Sequence, residues 1–216
     1  IIRMSAVENQ DSQVSRMIEA LSEQIHYLIG PVQDMVPLEK EVDIVRKYIY
    51  LLNCRISGKV HLSVQVPEGH EILVPKLILQ PLVENAYVHG IKPKNGRGSI
   101  MIEMLERENH LELSVIDNGI GMKAEETDRL EELLAGEEPG IKNEYNWQSI
   151  GLKNVHDRIR YLYGEDYGIR VTSTAGVGTI VMVLLPHPDT MQYSFSEKSV
   201  PEIYAGTGQE KEGTDA

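Results

Sequence analysis

The sequence predicts an α+β domain preceded by part of a helical hairpin, and three observations predict it. Apolar residues recur at helical spacing through Val14, Met17, Ile18, Leu21, Ile25, Leu28 and Ile29. Val60, Leu62, Val64 and Val66 then alternate with His61, Ser63 and Gln65, the period of a half-buried strand. Further on, strand-like runs come in pairs joined by short turns, 99–105 with 111–117 and 168–173 with 179–186.

Taken in order, residues 1–7 have helical composition with no capping residue ahead of them, so the chain is expected to open at the end of a helix. The turn Asn9-Gln10-Asp11-Ser12 leads into the second helix, which Gly30-Pro31 stops. Residues 1–30 thus read as a partial hairpin and 31–37 as a linker. From Leu38, Glu39 and Glu41 acidify the first turn of an amphipathic helix carrying Val42, Val45, Ile49 and Leu52. The turn Pro67-Glu68-Gly69 closes the following strand, and a helix is expected from about 75 to 90, kinked or split by Pro81. Residues 122–148 are polar and acidic with no sustained core pattern, which suggests a mobile lid. A helix over about 151–163 precedes the last two strands, and 188–216 is expected to be a disordered tail. The main domain is therefore 38–187.

Composition sets limits. With 216 residues, 41% hydrophobic and 25% charged, the chain can bury one full domain plus a small helical appendage. No window approaches the ~18 consecutive apolar residues of a membrane span, and no signal peptide opens the chain, so this segment is expected to be cytoplasmic. A net charge of −12 with no local basic patch argues against nucleic acid as a partner. Cys54 is the single cysteine, which excludes an internal disulfide and a paired-thiolate zinc site, and it reads as a packing residue or spare thiol.

Three segments carry the chemistry: Gln80-Pro81-Leu82-Val83-Glu84-Asn85-Ala86-Tyr87-Val88-His89-Gly90, Asp117-Asn118-Gly119-Ile120-Gly121-Met122 and Ser149-Ile150-Gly151-Leu152-Lys153-Asn154. Alone, an Asp-Asn-Gly is a turn at a strand end and a mid-helix Asn is a solvated residue. Their order is more specific: a helix with an amide, a strand ending in Asp-x-Gly-x-Gly, a long polar stretch, a Gly-Leu helix start, then a Gly-x-Gly-Thr turn into a strand.

In that order the chain resembles the histidine kinases of the YesM/LytS type, within the superfamily of gyrase-like and MutL-like ATPases, over roughly residues 1–187. The resemblance implies a two-layer α/β sandwich: a mixed, mainly antiparallel sheet with helices on one face, binding ATP and Mg2+. On matching positions it implies that Asn85 binds magnesium through its amide oxygen. Asp117 would accept from the adenine amino group, with Thr179 supporting that contact. Gly119 and Gly121 would let the backbone approach the nucleotide, while Gly151 and Leu152 would bring a helix N-terminus to the phosphates. His89, one turn beyond Asn85, reads either as a nucleotide contact or as a helix-terminal histidine favoured by the dipole. Glu84 reads as a catalytic carboxylate that polarises the attacking imidazole or supports magnesium from behind its ligands, or else as a surface carboxylate.

Two positions depart from the family's pattern. Ser149 stands where a glycine usually precedes Gly151-Leu152. The Asn-Pro-His-Phe-type acceptor motif is absent, since the sole phenylalanine is Phe195, so the acceptor histidine is expected upstream of Ile1; His26 is not expected to be the acceptor. A third position bears on enzyme class: the water-activating glutamate of the gyrase-like ATPases falls at Pro81, which has no base. The resemblance thus implies an ATP-dependent histidine kinase, dimeric through its hairpin and joined upstream to membrane-spanning and sensor segments. It would pass phosphate to an aspartate of a response regulator. A regulatory nucleotide-binding module or serine kinase of the same fold, and a noncatalytic interaction domain, are the alternatives.

Overall fold

The computed structural model describes residues 12–30, 35–56, 59–67, 72–136 and 147–188, with only the backbone described at 147–149. The expected helix over 1–7 and nearly all of the expected tail lie outside these residues. In order come α1 (Ser12–Ile29), β1 (Met35–Pro37), α2 (Leu38–Arg55), β2 (Val60–Gln65) and β3 (Leu73–Pro75). Then follow α3 (Leu79–Asn85), which runs on as a π-helical segment, Ala86–Ile91, β4 (Gly98–Glu106) and β5 (His110–Asp117). The chain continues through α4 (Ala124–Ala135), α5 (Trp147–Tyr163), β6 (Gly168–Thr174) and β7 (Gly178–Pro186).

The main sheet has the order β2-β4-β5-β7-β6, parallel between β2 and β4 and antiparallel elsewhere. Its core face follows from the strand period of two. On β5 the odd residues Leu111, Leu113 and Val115 are buried, and Val115 pairs with both Ile102 of β4 and Val181 of β7. Val181 in turn pairs with Val171 of β6, so one apolar row crosses four strands. Leu82 and Val83 of α3, Leu152, Val155 and Ile159 of α5, and Val42, Val45, Ile49 and Leu52 of α2 join these residues in one core. The predicted two-layer arrangement is thus present.

Several sequence expectations give way to the structure. Residues 35–37 are strand β1, paired antiparallel with β3, so the linker reading of 31–37 fails where the chain is described. No helix starts at Pro75. The helix begins at Leu79, so Pro81 falls in its first turn, where a missing N–H costs nothing, and it causes no split. The stretch 122–136 is not weakly structured: Glu126 accepts from the Lys123 amide at 2.8 Å to start α4, whose Leu130 and Leu134 are buried. The remainder of the expected lid, 137–146, lies outside the described residues.

The greasy stripe on α1 also turns the other way. Leu21, Ile25, Leu28 and Ile29 are exposed, whereas Ser15, Ala20, Gln24 and Tyr27 face α2. The contacts there are polar: Gln24 donates to the Ile44 carbonyl at 3.4 Å, Lys47 pairs with Glu23, and Gln13 reaches the Cys54 sulfur at 3.9 Å. Cys54 is a free, partly buried thiol. His26 is exposed.

Candidate functional site

Asp117 ends the core-facing row of β5, so the period that buries Leu113 and Val115 also turns its carboxylate toward the helical layer. It is 6% exposed. The Gly119 amide donates to its Oδ1 at 2.7 Å, and the Thr179 amide donates to the carboxylate as well. Burial raises the carboxyl above its ordinary value, an effect these two amides oppose. A carboxylate offers about four acceptor positions. Two amides leave room for a donor such as an adenine amino group.

Thr179 lies opposite Asp117 in the β5–β7 register and is buried on the same face. Its hydroxyl is 2.9 Å from Ser173 Oγ, which accepts from the Met122 amide at 2.9 Å and lies 3.1 Å from the Gly178 carbonyl oxygen. Thr179 is therefore held by a network that also anchors the chain leaving the Asp117 turn. Ser173 was not legible as a site residue, because nothing in the sequence pairs β6 with the residues after Gly121.

The glycines have a packing duty that the sequence did not suggest. A Cβ at Gly119 would run into the backbone of Gly90, with which the turn is in direct contact; the Ile120 amide also donates to the Gly90 carbonyl at 3.0 Å. Gly121, at φ +63°, sits against the Thr174 carbonyl. Both glycines close the protein's own backbone around Asp117. Gly90 completes the cradle: a Cβ there would stand 2.5 Å from Asp117 Oδ1. Its signal was in the Asn85–Gly90 segment, but only the fold puts it beneath the carboxylate.

Asn85 closes α3 and is half-buried. The wider π-helical turn that follows carries His89 and brings Gly90 onto β5. His89 is half-buried, and burial, with Lys92 beside it, lowers its imidazole below the ordinary value, so it is neutral near pH 7. Glu84 accepts from Gln80 Nε2 at 2.8 Å and faces Tyr48 of α2, whose phenol is pushed up to about 12 by burial and then by the Glu84 charge. The structure thus ties Glu84 to its own helix and to α2.

Gly151 and Leu152 do not start a helix. The helix begins at Trp147, so the amides without intrahelical partners belong to its first turn, before Gly151. Leu152 is buried in the core, and a Cβ at Gly151 would meet only Pro81 Cβ, at 3.7 Å. The two segments are nonetheless brought together, with Pro81 facing Gly151. Among the described residues, no three His, Cys, Asp or Glu side chains are grouped to hold a metal. An ion bound through Asn85 would therefore take most of its ligands from phosphate and water, which fits the donor habits of magnesium. Among the described residues no helix is long and apolar enough to cross a membrane.

Comparison with known proteins agrees with this geometry. Residues 70–189 match the model of the histidine kinase-, DNA gyrase B- and HSP90-like ATPases, and residues 1–60 match a histidine kinase model. The chain is 33% identical over 187 residues to sensor histidine kinase YpdA of Escherichia coli, and 31% identical over 186 residues to sensor histidine kinase YesM of Bacillus subtilis. Each alignment takes in 86% of this chain but only 31% and 30% of those proteins, so the chain spans about a third of the curated relatives it matches. A solved catalytic domain of histidine kinase ThkA, in a nucleotide-free form, superposes with a TM-score of 0.53 at 15% identity, covering 70% of this chain and 95% of that one. That likeness bears on the fold, while the family models bear on descent: the chain belongs to the histidine kinase-, DNA gyrase B- and HSP90-like ATPase family, in its histidine-kinase branch.

Proposed function

We propose that this chain is the ATP-binding catalytic part of a two-component sensor histidine kinase, moving the γ-phosphate of ATP to a histidine and then to a response-regulator aspartate. One observation carries the nucleotide assignment: a carboxylate buried at a strand end with acceptor capacity to spare, cradled by Gly90 and Gly119. Asp117 accepts from the adenine amino group. A guanine would present a carbonyl there and leave two acceptors facing each other. Thr179, fixed by Ser173, steadies the same edge of the base.

On the phosphate side, Asn85 offers an amide oxygen and His89 a neutral imidazole from the same helical segment. Magnesium, when bound, neutralises charge on the phosphates and orients them for in-line attack. The first turn of α5 offers amides to the same anionic groups. Gly151 and Leu152 support this turn from behind, Leu152 by anchoring it in the core. Pro81 is a side chain with no proton-accepting atom, one turn before Asn85 and facing Gly151. Nothing at that position orients a water, so hydrolysis stays slow and the γ-phosphate awaits an imidazole nitrogen. Glu84, held by Gln80, is a candidate to polarise that imidazole.

The full protein is expected to dimerise through its helical stem, to carry membrane-spanning sensor segments elsewhere, and to act without nucleic acid. The test is labelling with γ-labelled ATP and magnesium, on this chain and on one extended upstream of Ile1 to include a His-Phe pair. Acid-labile label on the extended chain alone supports the kinase reading. ATP bound with no label on either chain favours a regulatory module of the same fold.

A further inference from the structure

Glu41 is a charged residue only 1% exposed, and its partners are unusual. The sequence suggested that it serves the first turn of its own helix, α2. Its carboxylate instead reaches across to the start of α3: Oε1 accepts from the Leu77 amide at 2.7 Å, and Oε2 from the Ile78 and Leu79 amides, each at 3.0 Å. Three consecutive amides on one carboxylate make a helix cap supplied from another helix, since α3 has no capping side chain of its own. Leu77 is held at φ +61°, a conformation that leucine keeps only where its surroundings impose it.

The fourth partner comes from outside the domain. The hydroxyl of Tyr27, on the buried face of α1, donates to the same Oε1. Two cations approach the Tyr27 ring, with Lys76 Nζ 5.0 Å and Lys40 Nζ 5.6 Å from its centroid. Arg158 of α5 brings a further positive charge near the carboxylate and the phenol, with Nε and Nη2 buried and without a hydrogen-bond partner among the described residues. Glu41 is therefore where α1, α2, α5 and the start of α3 meet. α3 ends, two turns later, at Asn85.

We propose that Glu41 is a positioning residue for the phosphate side of the nucleotide site, and that Tyr27 ties this positioning to the docking of α1 on the domain. The inference rests on the assignment of Asn85 to the phosphate side. With Tyr27 in place the carboxylate fixes α3, and Asn85 is delivered in register with Asp117. When α1 undocks, the carboxylate loses one donor and the cap is free to shift. Asp117 is carried by the sheet and meets this helical segment only at Gly90, beyond Asn85 and the wider turn, so the adenine side feels the change less. The coupling is reciprocal: nucleotide on the phosphate side holds α1 down.

The experiment compares magnesium-ATP with adenosine alone, on wild type, Glu41→Gln, Tyr27→Phe and Asn85→Ala, with affinities from calorimetry and from the Gly119 amide resonance. Glu41→Gln and Tyr27→Phe are each expected to weaken magnesium-ATP by about 5-fold or more and adenosine by clearly less. Magnesium-ATP is expected to slow amide exchange in α1 of the wild type and not of Tyr27→Phe. Equal loss of both ligands, or no loss of either, would overturn the proposal. If Glu41→Gln fails to fold, Tyr27→Phe decides alone, because it removes one hydroxyl and keeps the ring beside its lysines. A silent Asn85→Ala overturns the site assignment and this inference together, whereas a sensitive Asn85→Ala with silent Glu41 and Tyr27 variants overturns the inference only.

Discussion

Gly119→Ala separates two reasons for a glycine. If Gly119 serves only to let a nucleotide approach, alanine should leave the empty protein unharmed. The structure gives it another duty. The added Cβ lands on the Cα, carbonyl carbon and oxygen of Gly90, all backbone atoms that no rotamer change can move. The shift falls on the Ile120-to-Gly90 hydrogen bond and on the Asp117 carboxylate above it. Overpacking of this kind costs ~1–3 kcal/mol and the hydrogen bond ~1 kcal/mol, giving about 2–4 kcal/mol. For a chain of this size each kcal/mol moves the melting temperature by ~2–4 °C, so the apo protein should melt about 4–16 °C lower. Gly151→Ala is the control. Its Cβ finds only Pro81 at 3.7 Å, inside α5, where alanine gains ~0.5–1 kcal/mol over glycine. Calorimetric melts without nucleotide should place Gly119→Ala below wild type and Gly151→Ala at or above it. A Gly119→Ala protein melting within about 2 °C of wild type would refute the packing argument.

Asp117→Asn should abolish ATP binding in calorimetry while the apo fold persists. Because burial raises the Asp117 carboxyl, its cost to stability is absent below the ordinary carboxylate value and complete above its raised value. The variant should thus be no less stable than wild type near pH 7 and lose that advantage in acid; a large loss of apo stability at pH 7 would contradict this. ATP affinity of the wild type should fall as the pH drops through the raised value, measured by titration calorimetry across the acid range. His156 accepts from the Ile169 amide at Nδ1, 3.1 Å away, and burial lowers its imidazole. It therefore costs stability as the pH falls below the ordinary imidazole value, and its ring resonances should stay those of a neutral histidine just below that value. Pro81→Glu occupies the first turn of α3, where a carboxylate is favoured by the helix dipole. It should raise phosphate release from ATP by at least about 10-fold if a missing base is what keeps hydrolysis slow; an unchanged rate would sink that explanation.

The parts of the fold that could be read from sequence are those where local periodicity and tertiary burial agree. β2, β4, β5, β6 and β7 lie close to their expected ranges, because each presents alternate apolar residues to one core. β1 and β3 could not be read: each is three residues long, and what defines them is their mutual pairing across an intervening helix and strand. The α1 stripe misled for the opposite reason. Its apolar pattern is real, but on this chain the domain claims the face bearing Ala20, Gln24 and Tyr27 instead. At the site, Asp117, Thr179 and Gly119 were marked by motif and are adjacent in space. Gly151 and Leu152 were marked too, yet the helix they were thought to open starts at Trp147, since the family motif marks the residues and not the helix boundary. Glu41 was misassigned because a carboxylate in a first turn looks satisfied by its own helix dipole. Only burial reveals that it serves another.

The site thus rests on two supports of different stiffness. Asp117 and Thr179 are fastened in β5 and β7 by ladder hydrogen bonds and Gly121 sits against the Thr174 carbonyl of β6, while Gly119 is the point where this side meets Gly90 of the helical segment. Asn85 and His89 ride on a short helix that changes to a wider turn midway and whose start is held by a side chain from α2. A hydrogen-bonded sheet edge moves little, whereas a seven-residue helix capped from elsewhere moves with its cap. Adenine recognition should accordingly vary less across conformations of the protein than phosphate geometry does. That division suits a kinase that must keep ATP loaded while transfer is switched on and off. Nucleotide affinity lost through the sheet would silence the protein permanently, but geometry lost through α3 is recoverable by redocking one helix.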